Sequence, residues 1–217
     1  MLGFFQQFEI LQMFQKGGPV MWPLLFVSIL GLAFIFERFW HYHRVTINTP
    51  DFLDKIRKVL RQRKVKEAIQ VCENYRGPIA SILKAGLLKF GKQKEEVEKA
   101  IDNSGAIEMS RLERGLIWIA TVSTIAPLLG FLGTVTGMIK AFDTIATQGM
   151  NNPALVALGI SEALITTATG LAIAIPMSLA YNYFSNRVGK LVLEMEESSG
   201  MLLEFMNEMS QEDSAKA

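Results

Sequence analysis

Cysteine is almost missing from this chain: Cys72 is the only one in 217 residues. A single thiol rules out an intrachain disulfide, and with only His41 and His43 beside it no Cys/His metal spacing exists. Neither a metal nor an organic cofactor is expected. There is no HExxH, no Asp pair deep in an apolar run, and no Ser–Lys or Ser–His pairing, so the chain does not read as an enzyme. Strand signals are lacking between Asp51 and Gly115 as well. The most informative absence is local. Pro19–Phe36, Leu116–Ile139 and Ala163–Phe184 contain no charged side chain at all. A helix crosses a bilayer with about 20 mostly apolar residues, and buried helices of soluble proteins are rarely so free of charge.

What is present fits three retained spans. Met1–Gln15 has no Lys or Arg, and ERFW follows the first apolar run, which is unlike a cleaved signal peptide. Of 22 Lys and Arg residues, only Lys16 and Lys140 fall on one side of the three spans. Basic loops stay cytoplasmic, so the N-terminus faces outward and the C-terminus the cytoplasm. With flanks, the expected division is an N-terminal periplasmic or interfacial segment at 1–16 and a first span at 17–40. A cytoplasmic helical region at 41–115, a second span at 116–142, a periplasmic loop at 143–158 and a third span at 159–184 follow. The chain closes with a cytoplasmic helix and tail at 185–217. Met1–Gln15 mixes aromatics with glutamines and reads either as an interfacial helix or as a frayed terminus. Trp22 at one end of the first span and Phe39, Trp40 and Tyr42 at the other resemble aromatic belts.

Between the first two spans, Phe52, Ile56, Val59 and Leu60 recur at helical spacing. RGP at 76–78 interrupts, and Ile79–Phe90 and Glu95–Arg114 resume the pattern. The run KIRKVLRQRKVK (55–66) reads as a basic cytoplasmic face near anionic headgroups rather than a nucleic-acid site. In the tail, Val188, Val192, Met195, Ser199, Leu202, Met206 and Met209 form a heptad seam. That seam packs either on a separate partner or on the chain's own cytoplasmic helices.

Small residues and hydroxyls crowd the last two spans. In lipid, helices associate through close van der Waals contact and hydrogen bonds, so small residues mark the contact faces. Ala126, Gly130, Gly133, Gly137 and Ala141 share one face of the second span. Ala163, Thr167, Gly170 and Ala174 share one face of the third. Most of the span hydroxyls are expected to bond back to their own helix carbonyls. Thr134 and Thr167 stand out by depth, each roughly 7–8 Å inside the outer boundary at 1.5 Å per residue. Because the two spans are antiparallel, both hydroxyls can share one level of a pore. Glu162 is the acid at the outer end of the third span, either a helix-end carboxylate in water or part of a hydrated entrance. No Asp, Glu, His, Lys or Arg lies deep in any span, yet a proton relay needs a titratable group in the membrane. A partner would have to supply it.

GFLGTVTGMIKAF (130–142) and GISEALITTATGLAIAIP (159–176) resemble the second- and third-span motifs of the MotA/TolQ/ExbB proton channel family. Three spans with a large cytoplasmic segment resemble its ExbB/TolQ branch rather than the four-span flagellar branch. The resemblance implies an all-α membrane protein with three transmembrane helices, the second and third extending into a helical cytoplasmic region, assembled as a homo-pentamer around a central pore. It implies a partner similar to ExbD or TolR, a single-span protein present as a dimer, whose membrane Asp carries protons in the bacterial inner membrane. It further implies that the resulting motion is relayed to a TonB-like or TolA-like protein. By motif, Thr134, Thr167 and Glu162 correspond to residues of the proton pathway. One charge crossing 100 mV provides about 2.3 kcal/mol, so substantial mechanical work needs several protons. ExbB-type and TolQ-type systems both fit, as do H⁺ and Na⁺. A non-conducting scaffold that merely holds a single-span partner would use the same small-residue faces.

Overall fold

The computed structural model describes residues 12–45, 49–75, 77–149 and 153–216. Most of the expected interfacial helix at Met1–Gln15 lies outside the described residues. Every described regular element is helical: α1 (Met21–Val45), α2 (Thr49–Arg61), α3 (Val65–Asn74), α4 (Pro78–Leu87), α5 (Lys94–Glu113), α6 (Leu116–Gln148) and α7 (Pro153–Lys216). No strand occurs among the described residues. Three helical segments are long and apolar enough to cross a membrane, namely Met21–Tyr42 and windows within Lys94–Gln148 and Pro153–Met209.

The chain divides into two compact units, Met1–Glu37 with Gly115–Tyr183 and Arg38–Arg114 with Phe184–Ala217. The first unit holds most of α1, all of α6 and the first part of α7. Val20, Met21, Leu24, Ala126 and Ala174 form its buried cluster, with Leu129, Ile165 and Ile173 packed at the edge. Gly31 of α1 lies close against Met177 and Val122, and Phe34 stacks on Trp118 at 5.7 Å. Much of this unit's surface is apolar. Phe26, Phe36, Phe131, Leu164 and Leu179 are each more than 60% exposed, far more apolar surface than a soluble monomer tolerates and suited to lipid or to other subunits. Pro127 and Pro176 sit inside α6 and α7, which membrane helices accept because neighbouring helices and hydroxyls can meet the freed carbonyls.

The second unit is built like a water-soluble domain. The apolar face of α2 buries Phe52, Ile56 and Leu60, while Lys58, Arg61 and Lys64 of the basic run stay exposed. The most enclosed helix is α4, which starts on Pro78, a residue preorganised for a first helical turn. Phe184, Val188, Leu191, Met195, Ser198 and Leu202 of α7 are buried. Ile56, Leu60, Leu83 and Leu202 line one small cavity together, and Gly86 meets both Ile101 and Leu202. The tail seam therefore packs in part on the chain's own helices. Ser198 and Ser199 do not break it, because their hydroxyls donate to the carbonyls of Glu194 and Met195 at 2.6 and 2.7 Å.

One aromatic departs from the belt expected of it. Tyr42 is buried, and its hydroxyl donates to the Leu112 carbonyl at 2.7 Å near the end of α5. A tyrosine at an interface keeps its polar tip wet, whereas this one spends it on a helix-end carbonyl. Trp22, Phe39 and Trp40 are exposed.

Candidate functional site

The site is the seam between α6 and the first part of α7. Glycines set its geometry. A Cβ at Gly170 would lie 2.6 Å from the Ala126 carbonyl oxygen and 3.1 Å from the Gly130 Cα. At Gly137 it would lie 2.7 Å from the Gly159 carbonyl oxygen and 2.8 Å from the Ala163 nitrogen. Backbone meets backbone at both places, so no side-chain movement could make room. Gly130 faces Thr166 and Thr167, and Gly133 faces the Thr166 side chain. Gly130, Gly133, Gly137, Ala126 and Ala141 are buried on α6, and Ala163, Thr166 and Ala174 on α7.

This closeness lets side chains reach across. Thr121, Ser123, Thr124 and Thr136 of α6, and Thr166 and Thr169 of α7, donate to carbonyls three or four residues earlier on their own helices. Thr134 and Thr167 cross the seam. The Thr167 hydroxyl donates to the Gly130 carbonyl at 3.1 Å. The Thr134 hydroxyl bonds to the Thr167 oxygen and has the Ala163 carbonyl at 3.3 Å and the Gly130 carbonyl at 3.4 Å. A hydroxyl carries one proton, so a self-consistent chain runs from Thr134 to Thr167 to the Gly130 carbonyl. Such bonds contribute about 0.6 kcal/mol on average within a membrane, and up to about 1.7. Both residues remain half-buried, with lone pairs left to accept from a donor outside the seam. A hydroxyl pair can orient and relay a proton, but it cannot hold one as a carboxylate does.

Glu162 stands apart from this pair. It lies five residues before Thr167, which on a helix is a rotation of about 140° and a rise of about 7.5 Å. Its carboxylate pairs with Lys140 of α6 at 2.5 Å and rests against Gly18 of the turn before α1. Gly18 has φ +70°, a left-handed conformation that favours glycine, and a Cβ there would run into the Glu162 carboxyl. Because α7 starts at Pro153, Glu162 lies well inside the helix, beyond the first turn where the helix dipole favours an anion. Lys140, rather than the dipole, partners the charge. The Lys140 side chain is 52% exposed and that of Glu162 13%, so the pair is partly shielded. Sequence reasoning missed Lys140 as a partner. The pairing follows from the register of the two antiparallel helices, which sets Gly137 against Ala163 and brings Lys140, one turn further, beside Glu162.

These features define a polytopic α-helical membrane protein whose two backbone-close helices share a hydroxyl bridge and carry no titratable group at that depth. The chain belongs to the MotA/TolQ/ExbB proton channel family, whose model matches residues 74–197. It is 38% identical over 171 residues to the ExbB-like 1 protein of Synechocystis sp., covering 77% of this chain and 67% of that one. It is 37% identical over 153 residues to the biopolymer transport protein ExbB of Neisseria gonorrhoeae, covering 70% of this chain and 67% of that one. The similarity to the Tol-Pal system protein TolQ of Pseudomonas aeruginosa is 36% over 125 residues, covering 52% and 54%. Membership falls in the ExbB/TolQ branch, and the chain is a multi-pass inner-membrane protein.

Proposed function

We propose that this chain is the pore-forming subunit of a proton-driven inner-membrane motor and has no catalytic activity of its own. In this reading five copies surround an axis, with α6 and α7 of each facing a central pore. A dimeric single-span partner similar to ExbD or TolR stands in the pore and brings the membrane aspartate. Inward proton flow then drives a motion passed to a TonB-like or TolA-like protein. The N-terminus and the segment between α6 and α7 are periplasmic, and the second unit is cytoplasmic. Thr134 and Thr167 line the proton path beside the partner's carboxylate. Glu162, held by Lys140, frames its outer entrance.

The observation that carries this reading is the Thr134–Thr167 bridge on a helix pair whose own sequence supplies no proton carrier at that depth. Thr134→Val and Thr167→Val keep the side-chain shape and remove the hydroxyl. Each should sharply reduce partner-dependent energy transduction in cells while leaving assembly intact. Normal transduction in both variants would remove the proposed role.

A second reading is a scaffold that seats the partner helix and conducts nothing. It is favoured by the fact that both hydroxyls find partners within the chain. Proton flux separates the two readings, since the scaffold predicts none.

A further inference from the structure

The second unit carries a groove that the membrane seam does not use. Between α5 and the distal part of α7 lies an open furrow of about 570 Å³. Its floor is apolar, formed by Ile101, Met109, Val192, Met195 and Leu203. Its lips are acidic. Glu98 and Asp102 stand one turn apart on α5, and Glu196 faces them from α7. No Lys, Arg or His lines it. The Ser199 hydroxyl at its edge is already spent on the Met195 carbonyl, so specificity rests with the three carboxylates. Among the described residues Glu98 has a surface pair with Lys94 at 3.6 Å. Gly200 forms part of the wall, and a Cβ there would meet nothing within 4 Å. Packing does not require glycine at that position, and its effect is to keep the furrow wide.

We propose that this groove docks a basic amphipathic helix of a partner protein. Apolar residues spaced i, i+3 or i+4, and i+7 would seat on the floor, as in other helix-in-groove complexes. The two methionines suit such a surface because their flexible thioethers adapt to the shape of a guest. Lys or Arg on the flanks of the guest would meet Glu98, Asp102 and Glu196. The charge complement selects a basic guest over an acidic one. The chain's own basic run at 55–66 does not qualify, either within the chain or from a second copy. The apolar face of that helix, Phe52, Ile56 and Leu60, is already buried in its own unit, so it could offer charge without anchors.

The test uses the full chain in nanodiscs of zwitterionic lipid, with empty discs as background. The probes are a labelled Leu/Lys helical peptide of the stated spacing, a Leu/Glu peptide of the same pattern, and a scrambled Leu/Lys peptide. The Leu/Lys helix should bind above background and about tenfold or more tighter than either control, and added salt should weaken it. Gly200→Leu fills the furrow in open space and replaces glycine with a better helix former, so folding is retained. That variant and the triple Glu98→Gln, Asp102→Asn, Glu196→Gln should each weaken binding about tenfold, equivalent to about 1.4 kcal/mol. Unchanged helix content and slow alkylation of buried Cys72 verify the fold of each. A Cys-tagged Leu/Lys peptide should form a disulfide with Ala106→Cys in the groove wall. Binding equal to background, binding unchanged in either variant, or disulfides joining two copies of this chain through Ala106→Cys would each overturn the proposal.

Discussion

A single helix, α7, carries glycine for opposite reasons in the two units. In the first, a Cβ on Gly170 would strike the Ala126 carbonyl at 2.6 Å, whereas in the second a Cβ on Gly200 or Gly189 would meet nothing within 4 Å. The difference follows from the solvent each unit faces. Between membrane helices no hydrophobic force favours burial over lipid contact, so association depends on close approach and on hydrogen bonds across the seam. In the water-facing unit, burial of large side chains such as Phe52, Leu60, Leu83 and Leu87 supplies the driving force, and glycine adds nothing to it.

Four sets of substitutions probe that contrast, beginning with the largest expected effect. Gly137→Ala and Gly170→Ala should each destabilise the chain by about 1–3 kcal/mol, the usual cost of overpacking, with Leu at either position costing more. Reversible unfolding in mixed micelles measures this, and a neutral Gly170→Ala would mean that the seam is looser than described. Gly189→Ala and Gly200→Ala should act in the other direction, stabilising by up to about 1 kcal/mol, because an exposed helical glycine is worth that much less than alanine. A loss at Gly200 would show that something packs on it. Lys140→Gln removes one partner of the Glu162 pair. Since Lys140 is half-exposed, the change should be about 1 kcal/mol or less, and a pair worth much more would identify Glu162 as a principal anchor of the outer end.

The fourth concerns the second unit's core and is read from the shape of the alkaline limb. Burial pushes the Cys72 thiol up from an ordinary value near 9 to about 11. A raised folded-state value favours the protonated form, so the contribution of the thiol to stability is complete below pH 9 and fades as the pH climbs towards 11. Cys72→Ser should therefore flatten the alkaline limb of the stability curve and leave its acid limb unchanged. At pH 8 the native thiol should alkylate about a hundredfold more slowly than the unfolded one, in line with its smaller thiolate fraction. Equal alkylation rates would mean that the core opens readily around Cys72.

The readings most accessible from sequence rested on period and absence. A 3.6-residue repeat places Ala126, Gly130, Gly137 and Ala141 on one face regardless of what lies opposite, and three charge-free runs identify spans without reference to packing. Depth counting also suggested that Thr134 and Thr167 could share a level, because two antiparallel helices fix relative height once their ends are placed. Features needing a partner's identity were harder to read. A heptad pattern from Val188 to Met209 says that a face is covered but not by what, and here α4 and α5 cover part of it. Tyr42 resembles any interfacial tyrosine until the Leu112 carbonyl is seen. The proximity of Lys140 and Glu162 depends on the register between α6 and α7, which a single sequence leaves open. The acidic-lipped groove joins residues almost a hundred positions apart, and no local pattern announces it.

The account depends most on the two hydroxyls that meet across the seam. Its most direct test is dye-monitored proton uptake into liposomes holding this chain and the single-span partner proposed for it under an imposed membrane potential. Uptake that needs the partner and falls sharply with Thr134→Val or Thr167→Val, at unchanged complex yield, is the predicted result. Uptake that proceeds undiminished in both variants, or that is absent from the intact complex, would contradict it.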